Sequence, residues 1–154
     1  MNNIGKILQE RNETVCTAES ITGGKIGATL VAAPGTSLYY VGGFITYTAA
    51  LKIALLGIET ATIAQHSTVS EPVAVAMAAA AKEKTQATYA IAVTGNAGPT
   101  QDHNDKSVGL VWIAIATPEK VIRASFHFEG SRENVIQKTV DKSLEMLSKI
   151  LLEG

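Results

Sequence analysis

Charge, aromatic rings, cysteine and long apolar runs are all scarce in this chain. Of its 154 residues, 18% are charged and 5% aromatic, while 46% are hydrophobic. So little charge on so apolar a chain excludes intrinsic disorder. Neither sign dominates: 13 Lys and Arg stand against 14 Asp and Glu, a formal charge of −1. That balance removes the basic footprint of a nucleic-acid partner. No stripe of aromatics interleaved with basic residues is there to stack on bases. A single cysteine, Cys16, excludes a disulfide framework and fits a reducing compartment. No apolar run, residues 108–116 included, exceeds nine residues, less than half the roughly 20 a membrane helix needs. The opening MNNIGKILQERN is too polar for a signal peptide. The expectation is a soluble cytoplasmic protein with no membrane partner. With no internal repeat and no linker-like tract, it reads as one domain over residues 1–154.

What is abundant is small. The chain holds 22 alanines and 13 glycines, so its backbones pack by close approach rather than around large rings. Ile4, Ile7 and Leu8 predict an amphipathic helix over about residues 2–12. The β-branched residues 14–17 predict a buried strand, which runs into a turn-rich stretch ending at Gly23-Gly24. Ile26, Leu30 and Ala33 predict a helix that stops near Pro34-Gly35. Residues 38–47 read as a strand bent at Gly42-Gly43, and residues 49–56 as a short helix ended by Gly57. Ser70 reads as an N-cap, with Val73, Ala76, Met77, Ala80 and Ala81 at helical spacing behind it. Residues 88–94 and 108–116 predict buried strands. After a turn at Thr117-Pro118-Glu119, alternation through residues 121–128 predicts a half-exposed strand antiparallel to its predecessor. Ile136, Val140, Leu144, Leu147 and Leu151 line one face of a last helix with Ser131 as its N-cap. Helices alternating with strands predict a three-layer α/β domain with a mixed sheet.

Ligands of open α/β sheets bind beyond the carboxyl ends of the strands. Two glycine-bearing loops leave such ends: Ala18-Glu19-Ser20-Ile21-Thr22-Gly23-Gly24 and Thr94-Gly95-Asn96-Ala97-Gly98-Pro99. Either suits a phosphate or an oxyanion through backbone N–H groups, and either also reads as an ordinary tight turn. Ser20 stands between a strand and a helix, the place of a presented nucleophile or of a helix cap. A nucleophilic serine needs a base. His66, His103 and His127 fall in unlike segments and form no metal pair by spacing. His103, with Asp102 and Asp105, sits in a polar run that a solvated loop explains. Lys52 reads by composition as a solvated helix lysine, whereas burial would lower its pKa into the range of a base. Arg132 opens the last helix as an anion clamp or as an exposed cation. Cys16 reads as a packed thiol.

Five blocks in order carry a resemblance. They are AESITGG at residues 18–24, VGGFITYT at 41–48 followed by Lys52, VSE at 69–71, AVTGNAGP at 92–99 and VGLVWIA at 108–114. Together they resemble the CinA C-terminal domain family, the nicotinamide-nucleotide amidases, across nearly the whole chain. The resemblance implies a single three-layer α/β/α domain with a mixed, mostly parallel sheet, and a homodimer. It implies hydrolysis of the carboxamide of nicotinamide mononucleotide, a small-molecule nucleotide substrate, without metal or other cofactor. Ser20 is then the nucleophile, Lys52 its base, Tyr47 a positioning or relay group, and Arg132 a phosphate contact or part of the catalytic group. Backbone N–H groups near Thr22-Gly23 would form an oxyanion hole. Thr22, Gly23, Gly24, Gly43, Thr94, Gly95, Asn96, Ala97 and Gly98 would bind substrate. The chain departs from the family at Ala49, at residues 100–105, at Ser107 and at Ser131. These departures motivate a second reading, a nucleotide-binding or regulatory domain with impaired turnover.

Overall fold

The two faces of the central sheet are built from side chains of different size. The computed structural model describes residues 2–99 and 107–154. In chain order, α1 (Asn2–Arg11), β1 (Val15–Glu19) and α2 (Lys25–Val31) lead through a 3₁₀ turn (Thr36–Leu38) to β2 (Tyr40–Ile45). Three helices follow: α3 (Ala49–Leu56), α4 (Thr60–His66) and α5 (Glu71–Thr85). Then come β3 (Tyr89–Gly95), β4 (Leu110–Ala116), β5 (Val121–His127) and α6 (Arg132–Glu153). Large residues of one strand parity, such as Ile91, Val93, Ile113 and Ile115, form a cluster with residues of α1, α2 and α6. The other parity is alanine: Ala18, Ala90, Ala92, Ala114 and Ala116 meet Val73, Ala74, Met77, Ala78 and Ala81 of α5. With alanine on both sides, α5 approaches the sheet closely, and the two clusters make a three-layer α/β/α sandwich.

The sheet order is β2-β1-β3-β4-β5. β1 pairs in parallel with both β2 and β3, while β3–β4 and β4–β5 are antiparallel. Four of five strands therefore run in one direction, although the pairings divide evenly. The register sets Glu19, the last residue of β1, opposite Ile45 and Val93. The carboxyl ends of β1, β2 and β3 thus open at one edge of the molecule, where both glycine loops begin.

Most predicted elements form within two residues of their expected ends. Gly57 ends α3 in the left-handed conformation, φ 67°, and Ser131 caps α6 in a reciprocal capping box with Asn134. Ser131 therefore serves the helix start well as a neutral hydroxyl. Ser70 holds the N-cap position of α5, but its Oγ donates to the Ser67 carbonyl at 2.8 Å instead of accepting from the helix. Sequence pattern gives no sign of α4 or of the 3₁₀ turn; α4 buries no residue and has no side-chain cap, so neither periodicity nor capping marks it. Among the described residues, no helix is long and apolar enough to cross a membrane.

Candidate active site

β1 ends in a buried carboxylate, Glu19, and the chain then turns sharply at Ser20. Gly23 N–H donates back to the Ser20 carbonyl at 3.1 Å, and Lys25 N–H to the Thr22 carbonyl at 3.0 Å. Helix α2 starts only after Gly24, which adopts φ 105°, a conformation open to glycine. Ser20 therefore caps no helix, and its hydroxyl is left for other work. It is 5% exposed.

The partner of Ser20 is Lys52. Thr48 caps α3 through its side chain, so Lys52 falls in the first turn of that helix, facing inward. Its side chain is 0% exposed. Lys52 Nζ lies 2.9 Å from Ser20 Oγ, 2.7 Å from the Thr46 carbonyl and 3.3 Å from the Tyr47 carbonyl. No carboxylate pairs with it among the described residues. Burial without a counter-charge disfavours the ammonium form and lowers its pKa from 10.5 to about 8. The solvated helix lysine expected from composition is thus a buried amine poised near neutral pH. Ala49, one of the departures from the family pattern, opens α3 directly after the Thr48 cap.

Tyr47 meets this pair through its backbone. Its carbonyl also takes a 3.4 Å bond from Ser20 Oγ, whereas its phenol, 58% exposed, accepts from Arg132 at 3.1 Å. Arg132 also donates to the Gly98 carbonyl at 2.6 Å. It thereby ties the start of α6 to the loop after β3 and to Tyr47. In that loop, Asn96 Oδ1 accepts from Gly98 N–H at 3.0 Å, and Thr94 Oγ1 donates to the Thr68 carbonyl at 2.8 Å.

These residues surround a cleft of about 190 Å³, lined by Ser20, Ile21, Tyr47, Thr68, Val69, Thr94, Gly95, Asn96, Ala97 and Arg132. Lys52 stands behind Ser20. Other nominated residues lie outside the lining. Thr22 gives its hydroxyl to Glu19 at 2.7 Å, and Gly23 spends its N–H on Ser20. A Cβ on Gly43 would collide with Thr17 of the neighbouring strand, so that glycine serves the approach of β2 to β1. A Cβ on Gly98 would collide with Val108. Of the backbone N–H groups near Thr22-Gly23, that of Gly23 itself is engaged. The N–H groups in the turn with no acceptor among the described residues are those of Ile21, Thr22 and Gly24.

Sequence reasoning missed four contributors: Ile21, Thr68 and Val69 in the lining, the last two brought in by the chain before α5, and Glu19. Cys16 is fully buried, and burial raises its thiol pKa. His66 and His127 are exposed and make no contact with Ser20; His127 Nε2 bonds the Val108 carbonyl. Asp102, His103, Asp105 and the rest of residues 100–106 lie outside the described residues.

The chain matches the CinA C-terminal domain model over residues 1–151. The CinA-like protein of Flavobacterium psychrophilum is 43% identical over 151 residues, 98% of this chain and 36% of that protein. The nicotinamide-nucleotide amidohydrolase PncC of Escherichia coli (strain K12) is 38% identical over 153 residues, 98% of this chain and 92% of that protein. The chain thus spans about a third of the length of the former kind of relative and nearly all of the latter. Among solved structures, the competence-damaged protein (CinA) superfamily protein KP700603 from Klebsiella pneumoniae superposes with a TM-score of 0.95. It is 30% identical, with 98% of this chain and 94% of that chain covered.

Proposed function

The chain belongs to the CinA C-terminal domain family, and on that premise we propose that it is a nicotinamide-nucleotide amidohydrolase in pyridine-nucleotide recycling. The observation that carries the reading is the 2.9 Å contact between Ser20 Oγ and the buried, uncompensated amine of Lys52. An amide hydrolase without metal needs a nucleophile and a base of matched pKa. With a pKa of about 8, about one-tenth of Lys52 is neutral at pH 7, some 300-fold more than for a solvated lysine.

In the proposed reaction, neutral Lys52 takes the Ser20 Oγ proton as the oxygen attacks the carboxamide carbon. The oxyanion that forms meets the unengaged N–H groups of Ile21, Thr22 or Gly24. Lys52 then returns its proton to the amide nitrogen, ammonia leaves, and an ester on Ser20 remains. Water attacks the ester with Lys52 again as base, Ser20 regains its proton, and the nicotinate nucleotide departs. A cleft of about 190 Å³ is below the roughly 300–1,000 Å³ of whole-ligand pockets. It takes the pyridine carboxamide, and the ribose phosphate extends toward Arg132. Two of the five guanidinium donors of Arg132 are engaged in its bonds to Gly98 and Tyr47, which leaves donors for a phosphate. Tyr47 positions Lys52 through its carbonyl and Arg132 through its phenol. The reading puts the enzyme in the cytoplasm, where a buried free thiol stays reduced.

The proposed unit is a homodimer. Seven of the eight exposed large hydrophobics among the described residues are Val31, Leu38, Val41, Ile45, Tyr47, Leu51 and Leu55. Val41 and Ile45 lie on the open edge strand β2, and the others lie on the stretches of chain that lead into and out of it, from α2 to α3. Across residues 26–58 the only charged side chain is the buried Lys52. An edge without charge or proline is open to pairing. A second copy of the same edge meets it without like-charge repulsion.

Incubation with nicotinamide mononucleotide tests the reading: the protein releases ammonia stoichiometrically with the nicotinate nucleotide, and Ser20→Ala releases none. Ligand-induced stabilisation with no ammonia from the wild type contradicts hydrolysis and favours the nucleotide-binding alternative.

A further inference from the structure

Glu19 stands directly before Ser20, and the reaction above gives its carboxylate no task. It is 1% exposed and pairs with no cation among the described residues. A buried carboxylate is costly unless hydrogen bonds replace its hydration. Three bonds do so. Oε1 accepts from Thr22 Oγ1 at 2.7 Å and from Ile26 N–H at 2.8 Å, and Oε2 accepts from Gly27 N–H at 3.0 Å.

The donors lie on the far side of Ser20 from Glu19, two of them in the first turn of α2. The carboxylate therefore bridges the end of β1, the turn and the helix, with Ser20 held inside the bridge. Gly27 is suited to admit it, because a Cβ there would strike the Tyr40 hydroxyl and stand 3.4 Å from Glu19 Oε2. Tyr40 is itself bonded to Thr17 at 3.0 Å, so the carboxylate is walled in. The negative charge also faces the positive end of α2.

We infer that Glu19 is a positioning residue for the amidohydrolase reading, on which this role rests. Its carboxylate holds the turn of residues 20–24 in the shape that sets Ser20 Oγ on Lys52 and leaves N–H groups of Ile21, Thr22 and Gly24 unengaged. None of its bonds reaches Lys52, Ser20 Oγ or the cleft, so it acts only through the backbone it ties. Glutamine has nearly its size, but with its oxygen in the place of Oε1 its NH2 group faces the Gly27 N–H, donor against donor, and the second attachment to α2 is lost.

The test compares wild type with Glu19→Gln in ammonia release from nicotinamide mononucleotide and in the rate at which a fluorophosphonate labels Ser20. Circular dichroism checks folding. The expected result is a kcat lower by about 10–100-fold with KM within about threefold, the cost of a misplaced reacting group. Labelling slows in parallel, and the pH midpoint of kcat/KM stays where Lys52 puts it. Should Glu19→Gln not fold, Thr22→Val removes one donor only and is expected to slow labelling by several-fold. Labelling within twofold of wild type in the folded variant overturns the positioning role. A wild type that releases no ammonia, yet labels in a Glu19-dependent way, contradicts the amidase reading and supports the positioning role. Inertness of the wild type to both nucleotide and probe overturns both.

Discussion

Lys52 is where structure adds most to the sequence. Its neighbours in α3 are Ala49, Ala50, Leu51, Ile53, Ala54, Leu55 and Leu56, apolar on every side, so no polar face distinguishes an inward lysine from an outward one. Only the fold, by turning the Thr46 and Tyr47 carbonyls onto Nζ, makes burial tolerable. Motif order nominates Ser20 and Tyr47, and the start of the last helix nominates Arg132; which atoms of Tyr47 touch which partner lies beyond both. Burial of Lys52 also has a stability consequence. Its folded pKa, about 8, lies below the unfolded value of about 10.5. Below pH 8 both states hold the proton and the full cost of the buried charge applies. Between about pH 8 and 10.5 the unfolded state binds more protons, so stability rises with pH, by about 3 kcal/mol from this group. Comparing wild type with Lys52→Met by urea unfolding from pH 7.5 to 10.5 should show the wild type gaining on the variant by that amount. A pH-independent difference contradicts the lowered pKa.

At the scale of elements, strand and helix periodicity made most of the fold legible because the two sides of the sheet bury side chains of different volume. Alternation of Ile and Val with Ala along β3 and β4 marks both the strand type and its two-sided burial. The site was less legible because its parts meet through tertiary contacts. Thr68 and Val69 reach the cleft only after α4, an element without periodicity or cap. The alanine face of α5 has its own test. Ala78 is fully buried against the sheet, so Ala78→Leu inserts volume where no void receives it. We expect a loss of about 1–3 kcal/mol in urea unfolding, whereas the same change at the exposed Ala79 leaves stability within about 0.5 kcal/mol.

The whole molecule sets its polar chemistry and its uncharged edge side by side. Tyr47 belongs to both, lining the cleft and standing among the exposed apolar residues that run from α2 to α3. Val41 and Ile45, 51% and 54% exposed, lie along β2, where a lysine would introduce like charges across a two-fold axis. Val41→Lys with Ile45→Lys should convert a dimer into a monomer in analytical ultracentrifugation, with the far-ultraviolet spectrum unchanged. A wild type that sediments as a monomer at tens of micromolar removes the proposed interface. The near-zero net charge fits a ligand held by a few local groups, Arg132 and backbone N–H foremost, rather than by a long-range field.

Catalysis by Ser20 with neutral Lys52 is tested most directly by kcat/KM for ammonia release from nicotinamide mononucleotide, followed between pH 6.5 and 9.5. This parameter reports the ionisations of the free enzyme. The expected profile rises tenfold per pH unit and levels off with a midpoint near 8, where burial places Lys52. A profile flat across that range, or a midpoint that persists in an active Lys52→Ala variant, contradicts the assignment of Lys52 as the base.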